Sequence, residues 1–334
     1  MYRPNAIRCV QFSRDAFVRE VLDGSGAPFG GPISQQTRYL AGYLEKDLGV
    51  KSLLIEEHYI DRHFIEEFSA YYSRCLATVP NSCRRIHAFN IPLDDATLDD
   101  MLSRAASGEL EVVQRQIRAA YCGFIVLRPL ATAPIGRTVL RYPEDRAERK
   151  YLPTLSYTVH LLGFDFEVRG IAFQQQDVAV AACATTAIWT ALQRVVRNEG
   201  GRPPTPSAVT HAAMQYDTHD GRPLPGRGGL KISQLCNALR FFNFAPELVT
   251  VGNDPGMFLR YLGVYIRSGI PIILCLDGTR GGSGHTVTVV GYRESSSGAP
   301  TRKIPLVVAD PDGLGAEHLD KKHVAVALRN QSYD

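Results

Sequence analysis

The 334-residue chain lacks the features that mark several large classes of protein. No apolar run approaches the ~18 residues of a membrane-spanning helix, so no membrane partner is expected. The N-terminus, Met1-Tyr2-Arg3-Pro4-Asn5, leads into Asp15, Arg19 and Glu20 and not into the apolar core of a signal peptide. The seven cysteines (Cys9, Cys75, Cys83, Cys122, Cys183, Cys236, Cys275) are odd in number and scattered, with no Cys-x-x-Cys pair. Disulfide frameworks and thiolate zinc centres need clustered spacing, so neither is expected, nor is any other metal or cofactor. There is no phosphate-binding Gly-Lys-Ser/Thr loop, no dinucleotide fingerprint and no internal repeat. Charge of either sign is not in excess. The 37 Lys and Arg residues against 34 Asp and Glu leave +3, too little to predict a nucleic-acid partner. What remains, 45% hydrophobic and 21% charged, is an ordinary globular balance with room for two domains. The chain reads as soluble and cytoplasmic, with most of its thiols reduced and buried.

The texture changes along the sequence. Residues 1–150 read as a mainly helical domain suited to regulation or target recognition. Ser34 can cap a helix to about Lys46, His58 to Cys75 carries apolar residues at helical spacing, and Thr97 can start a helix to Ala106. Short apolar runs at Ser52–Ile55 and Ile86–Ile91 fit strands. Tyr121–Leu127, Arg137–Tyr142, Ser156–Leu162 and Phe164–Val168 fit hairpins, and the charged stretch Tyr142–Lys150 marks the boundary. Residues 151–334 then run helix first and strand later. Helices are expected at Cys183–Arg197, Ser207–Tyr216, Ser233–Phe242 and Gly256–Ser268. Strands are expected at Glu247–Val251, Pro271–Leu276, Thr286–Tyr292, Ile304–Ala309 and His323–Leu328. This order is α+β and not the strict alternation of a doubly wound sheet.

One cysteine has an unusual address. Behind Cys183, the residues Ala187, Ile188, Ala191, Leu192, Val195 and Val196 form an inward helical stripe, and Cys183 sits in its first turn. There a thiol meets unpaired backbone N–H groups and the positive end of the helix dipole, which favour the nucleophilic thiolate. A thiolate needs a base, and the base needs an orienting partner. His285 follows the glycine-rich stretch Gly278–Gly284 and opens a strand, while Asp310 ends the next one before Pro311. If those strands are antiparallel neighbours, His285 and Asp310 meet at one sheet edge. The run Gln174-Gln175-Gln176 ahead of Cys183 offers a side-chain N–H to a tetrahedral oxyanion.

In this order of motifs the chain resembles the papain-like cysteine peptidase superfamily, and is most similar to the bacterial branch that includes the bacteriocin-processing peptidases. The likeness lies in Gln-Gln-Asp ahead of Cys183-Ala184-Thr185-Thr186-Ala187, in Gly284-His285-Thr286-Val287 leading to Val290-Gly291-Tyr292, and in Ala309-Asp310-Pro311. It covers about residues 155–330. It implies a papain-like fold, in which a helix bearing the nucleophile packs on an antiparallel sheet, and a protein or peptide substrate. It also implies Cys183 as nucleophile, His285 as general base and acid, Asp310 as orienter and a glutamine as oxyanion donor. The family places that glutamine six residues before the cysteine, which here is Asp177, so Gln176 is the first choice while Gln174 and Gln175 stay open.

The expected activity is hydrolysis of a peptide or isopeptide bond. The same residues would also serve an acyltransferase, a deamidase or a transglutaminase-like enzyme, and a non-catalytic binding protein on a peptidase fold is the alternative of a different class. His58 and His63 lack a third ligand and share no helix face, so a solvated helix surface is the expected reading.

Overall fold

The computed structural model describes residues 7–26, 33–76, 78–143, 149–151, 154–176, 183–215, 229–250, 255–276, 285–293, 306–309 and 323–330. The chain folds into two compact units, Met1–Pro143 with Leu155–Gln175, and Glu144–Thr154 with Gln176–Asp334. The chain leaves the first unit at Pro143, returns to it for a hairpin, and leaves again after Gln175.

In chain order the first elements are β1 (Ile7–Gln11), α1 (Arg14–Ser25), α2 (Gln35–Lys46), β2 (Ser52–Tyr59), α3 (Arg62–Ala70), β3 (Cys83–Phe89), α4 (Asp95–Arg104), α5 (Leu110–Ala120), β4 (Tyr121–Leu127) and β5 (Ile135–Leu140). Next come β6 (Arg149–Tyr151), which belongs to the second unit, and the hairpin strands β7 (Leu155–Leu161) and β8 (Phe164–Gly170). The first unit combines the helices α1 to α5 with strands. It is built on a five-stranded antiparallel sheet in the order β1-β2-β3-β4-β5. The runs expected as strands at Ser52–Ile55, Ile86–Ile91 and Tyr121–Leu127 fall in β2, β3 and β4, and every residue of β4 is buried. Leu53, Ile55, Ile86, Ala88 and Ile125 share one core with Phe17 and Val21 of α1 and Leu40 and Leu44 of α2. Aromatic contacts join the sheet to the hairpin: the Phe166 ring lies 4.6 Å from Tyr121 and 5.8 Å from Phe89. The hairpin turns at Leu162 and Gly163, both with positive φ (54° and 82°), the pairing that matches the twist of the flanking strands.

The expected helix from His58 begins later, at Arg62. Asp61 caps it by accepting from the His63 and Phe64 backbone N–H groups, and residues through Tyr59 pair instead in β2. His58 is therefore on a strand and His63 on a helix.

Polar groups cross the interior of this unit. His87 is fully buried. In its neutral form Nε2–H donates to Glu56 at 3.0 Å while the Tyr121 hydroxyl donates to Nδ1 at 3.0 Å. Arg85 also donates to Glu56 and lies over the Tyr59 ring at 4.1 Å. Burial pushes His87 down to about 4 against the opposing hydrogen bond to Glu56, and burial pushes His63 down to about 4 against Asp61. Both imidazoles are thus neutral when folded, while an unfolded imidazole titrates near ~6.5. Between those values the unfolded chain binds more protons. The stability they contribute is full above about pH 6.5 and is lost as pH falls toward 4. Thermal melting should therefore drop between about pH 7 and about pH 5, and a His63→Gln/His87→Gln variant should show a shallower slope. A slope unchanged in that variant would assign the acid loss to other groups.

The second unit contributes β6, α6 (Cys183–Asn198), α7 (Pro206–Met214), α8 (Ile232–Phe241), β9 (Phe244–Thr250), α9 (Pro255–Arg267), β10 (Ile272–Leu276), β11 (His285–Arg293), β12 (Leu306–Ala309) and β13 (His323–Asn330). Its sheet is antiparallel in the order β12-β11-β10-β13-β9, with β6 also pairing with β11. The architecture of the chain is therefore mixed helix and antiparallel sheet, as an α+β class requires.

Alternation sorts the two faces of that sheet. Ile272 and Leu274 of β10 and Val287 and Val289 of β11 pack with Phe258, Leu262 and Ile266 of α9. The intervening residues turn to the opposite face. There the Thr288 hydroxyl donates to the Ala187 carbonyl of α6 at 2.8 Å and fixes that helix to β11. α6 is more deeply set than an inward stripe predicts, because every residue from Ala184 to Gln193 is buried. Its far side is covered from α7, where the Thr185 and Thr210 hydroxyls meet at 3.2 Å.

Candidate active site

Cys183 is the first residue of α6, and its side chain is partly exposed at the start of a helix buried from Ala184 to Gln193. The backbone N–H groups of that first turn have no carbonyl partner within the helix, and they present positive potential to the sulfur. Thr288 on β11 and Thr210 on α7 hold the helix in place from two sides.

His285 opens β11, opposite Leu276 at the end of β10. Its side chain hydrogen-bonds Cys183, and the Thr286 backbone N–H and hydroxyl also reach the Cys183 sulfur. The imidazole is half-buried, with Nε2 shielded from solvent.

These contacts decide the charge on sulfur. Burial raises the Cys183 pKa, but the hydrogen bond and positive charge of His285, with the two Thr286 donors, outweigh it and hold the thiol below its ordinary range. Burial wins at the other perturbed cysteines. Cys83, Cys122 and Cys236 are all pushed up, and Cys275 is pushed up to about 11. Cys183 is the one cysteine among the described residues whose pKa is shown lowered, and His285 acts on it.

The other candidate residues fall in different places. β12 runs antiparallel beside β11, as expected, and its last residue, Ala309, pairs with Thr288. Asp310 itself lies outside the described residues. Gln176 is half-buried in the second unit. Gln175 belongs to the first unit, where its amide is engaged: Oε1 accepts from the Ile135 backbone N–H at 3.2 Å, and Nε2 donates to Gln36 at 3.4 Å and to the Thr132 carbonyl at 3.5 Å. Gln174 is also in the first unit and is 1% exposed.

Sequence reasoning passed over two residues at this site, Thr286 and Cys275. Strand register carries the signal. Cys275 pairs directly with Thr286, the residue after His285, so both occupy the α6 face of the sheet beside the nucleophile. Set against known proteins, the chain matches no family model and no curated sequence.

Proposed function

We propose that the chain is a papain-like cysteine peptidase that hydrolyses a peptide or isopeptide bond of a protein or peptide substrate. The observation that carries this reading is the hydrogen bond between Cys183 at a helix start and His285 at a strand start, with the thiol lowered below its ordinary range. A nucleophile and base in contact, each on a rigid element, is the arrangement covalent acyl chemistry requires. A helix carrying the cysteine and packed on an antiparallel sheet supports the papain-like assignment of the fold.

The Cys183 thiolate attacks the scissile carbonyl, forming a C–S bond and placing negative charge on the carbonyl oxygen. The His285 imidazolium gives its proton to the leaving amine as the C–N bond breaks. The resulting thioester is cleaved by water, with His285 taking the water proton and Cys183 leaving as thiolate. Asp310 is assigned the orientation of the imidazole. The Cys183 backbone N–H and the Gln176 side-chain amide are assigned the developing oxyanion.

Iodoacetamide at neutral pH should modify Cys183 ahead of the other cysteines, as read by peptide mass mapping. Hydrolysis of a denatured-protein mixture, followed by the appearance of new termini, should fall in proportion. Labelling spread evenly over the cysteines, or hydrolysis that survives full modification of Cys183, would overturn the reading.

The glutamine assignment separates by readout. Gln176→Ala should lower kcat about 10²–10³-fold, some ~2.7–4 kcal/mol of transition-state stabilisation, with KM nearly kept. Gln175→Ala should instead lower the melting temperature, because it strips the Ile135 N–H of its acceptor inside the first unit. A large kcat loss at Gln175 with Gln176 near normal would reverse the assignment.

A further inference from the structure

We propose that Thr288 is a positioning residue for the reacting pair: its hydroxyl, bonded to the Ala187 carbonyl, locks the helix that carries Cys183 to the strand that carries His285. The proposal rests on the reading of Cys183 and His285 as nucleophile and base. Its test reads the reactivity of the sulfur and not peptide cleavage, so the two can fail separately.

The contact is one hydrogen bond between two rigid elements. The Thr288 hydroxyl donates to the Ala187 carbonyl at 2.8 Å, and Thr288 is 1% exposed. Both elements start at the reacting residues. Ala187 is four residues, about one turn or ~6 Å, behind Cys183 on α6. Thr288 is three residues, ~10 Å, behind His285 on β11. The bond thus ties α6 to β11 within the first turn or so behind the site, where a slide of the helix is carried directly to the sulfur. A misplacement of about 1 Å at reacting atoms can cost on the order of 10²-fold in rate.

The strand is a fixed base for this bond. Thr288 pairs with Ile273 of β10 on one side and with Ala309 of β12 on the other. Pairing with β10 is unbroken from His285 to Val289, and the irregularity against β12 begins only after Val289. The other tether of α6, the meeting of the Thr185 and Thr210 hydroxyls at 3.2 Å, runs to α7, which carries neither reacting residue.

The bond adds position and not helix formation. Inside α6 the Ala187 carbonyl already serves the helical ladder by accepting from the N–H four residues on, and Thr288 uses its second lone pair. Valine would suit the pleated position by shape and propensity, as Val287 and Val289 do on either side. A hydroxyl buried this deeply costs free energy unless it has a partner, and the Ala187 carbonyl is that partner.

The ionisation of Cys183 reports the alignment. Burial raises the thiol, and the hydrogen bond from His285 outweighs it only while the two side chains meet. Cys275 on β10 adjoins Cys183, and Cys236 on α8 acts on Cys275; burial pushes both up and leaves them uncharged near neutrality.

The test is the pH dependence of Cys183 alkylation by iodoacetamide in the full-length protein, read by mass mapping of the Cys183 peptide. In Thr288→Val the midpoint should rise by about one pH unit, leaving labelling about tenfold slower on its acid side. Thr288→Ser should restore the parent midpoint, and Thr288→Ala should not. Those two variants lack the same methyl and differ only in the hydroxyl, so their comparison decides the matter even where valine packs badly. Thr210→Val is the control, because it removes a similarly buried hydroxyl from the α7 side of the same helix. Its melting temperature should fall while its midpoint stays with the parent. Far-ultraviolet circular dichroism on each variant confirms the fold. An unchanged midpoint in Thr288→Val and Thr288→Ala overturns the proposal. So does an equal shift in Thr210→Val, which would make any loosening of α6 sufficient. If the Thr288 variants shift the midpoint while the parent protein cleaves no peptide, the positioning role stands and the peptidase reading fails.

Discussion

Cys183→Ala is expected to lower turnover about 10⁴–10⁶-fold, and His285→Ala to lower it nearly as much. Each loss follows from the one contact between the two side chains. Without the sulfur there is no C–S bond to form, and the reaction reverts to direct attack by water. Without the imidazole, burial at Cys183 is no longer outweighed, the sulfur reverts toward the thiol, and nothing delivers a proton to the leaving amine. Because the two act as one unit, the Cys183→Ala/His285→Ala double variant should be hardly slower than either single. Three kcat/KM measurements decide it. Losses that multiply in the double variant would mean that the residues serve separate steps. The alanine at position 183 removes one sulfur from a partly exposed helix start, so melting temperature should stay close to that of the parent.

The pair at the site was legible because both residues announce themselves locally. Cys183 heads a helix whose apolar spacing is plain, and His285 stands where a glycine-rich stretch gives way to Thr286-Val287-Thr288-Val289, a strand by alternation. The antiparallel pairing of β11 with β12 was posed as a condition from two short β-branched runs, and the two strands do pair so. Residues such as Thr286 and Cys275 are different. Their importance comes from which residue of β10 faces which of β11, a register that no single strand's sequence states. In the first unit the separate elements were legible, and their assembly was not, for a related reason. Ser34 caps α2 as expected, and the short runs expected as strands at Ser52–Ile55, Ile86–Ile91 and Tyr121–Leu127 fall in β2, β3 and β4. Local signals dominated the reading, and the sheet that organises the unit is set by contacts distant in sequence.

Nowhere is that clearer than at Arg128, a charged side chain of which sequence gives no hint that it is buried. It is 1% exposed, and its guanidinium donates to Glu67 at 3.2 Å, to the Ala133 carbonyl at 2.9 Å and to the Gln175 carbonyl at 3.1 Å. Three segments distant in sequence thus converge on one planar cation: α3, the link from β4 to β5, and the last residue of the first unit. Arg128→Met keeps much of the volume but takes the positive charge from a carboxylate that is itself 1% exposed. Breaking a buried ion pair from one side typically costs ~3–5 kcal/mol, because the remaining charge stays desolvated. Arg128→Met should therefore reduce the free energy of urea unfolding by about that amount. Neutralising the other side tests the cause. In Arg128→Met/Glu67→Gln the stranded charge is gone, and a substantial part of the loss should return. The return should be incomplete, since the Ala133 and Gln175 carbonyls still lack their donor. A double variant no more stable than Arg128→Met would place the whole effect in those two carbonyls. A single variant as stable as the parent would remove Arg128 from the structure of this unit altogether.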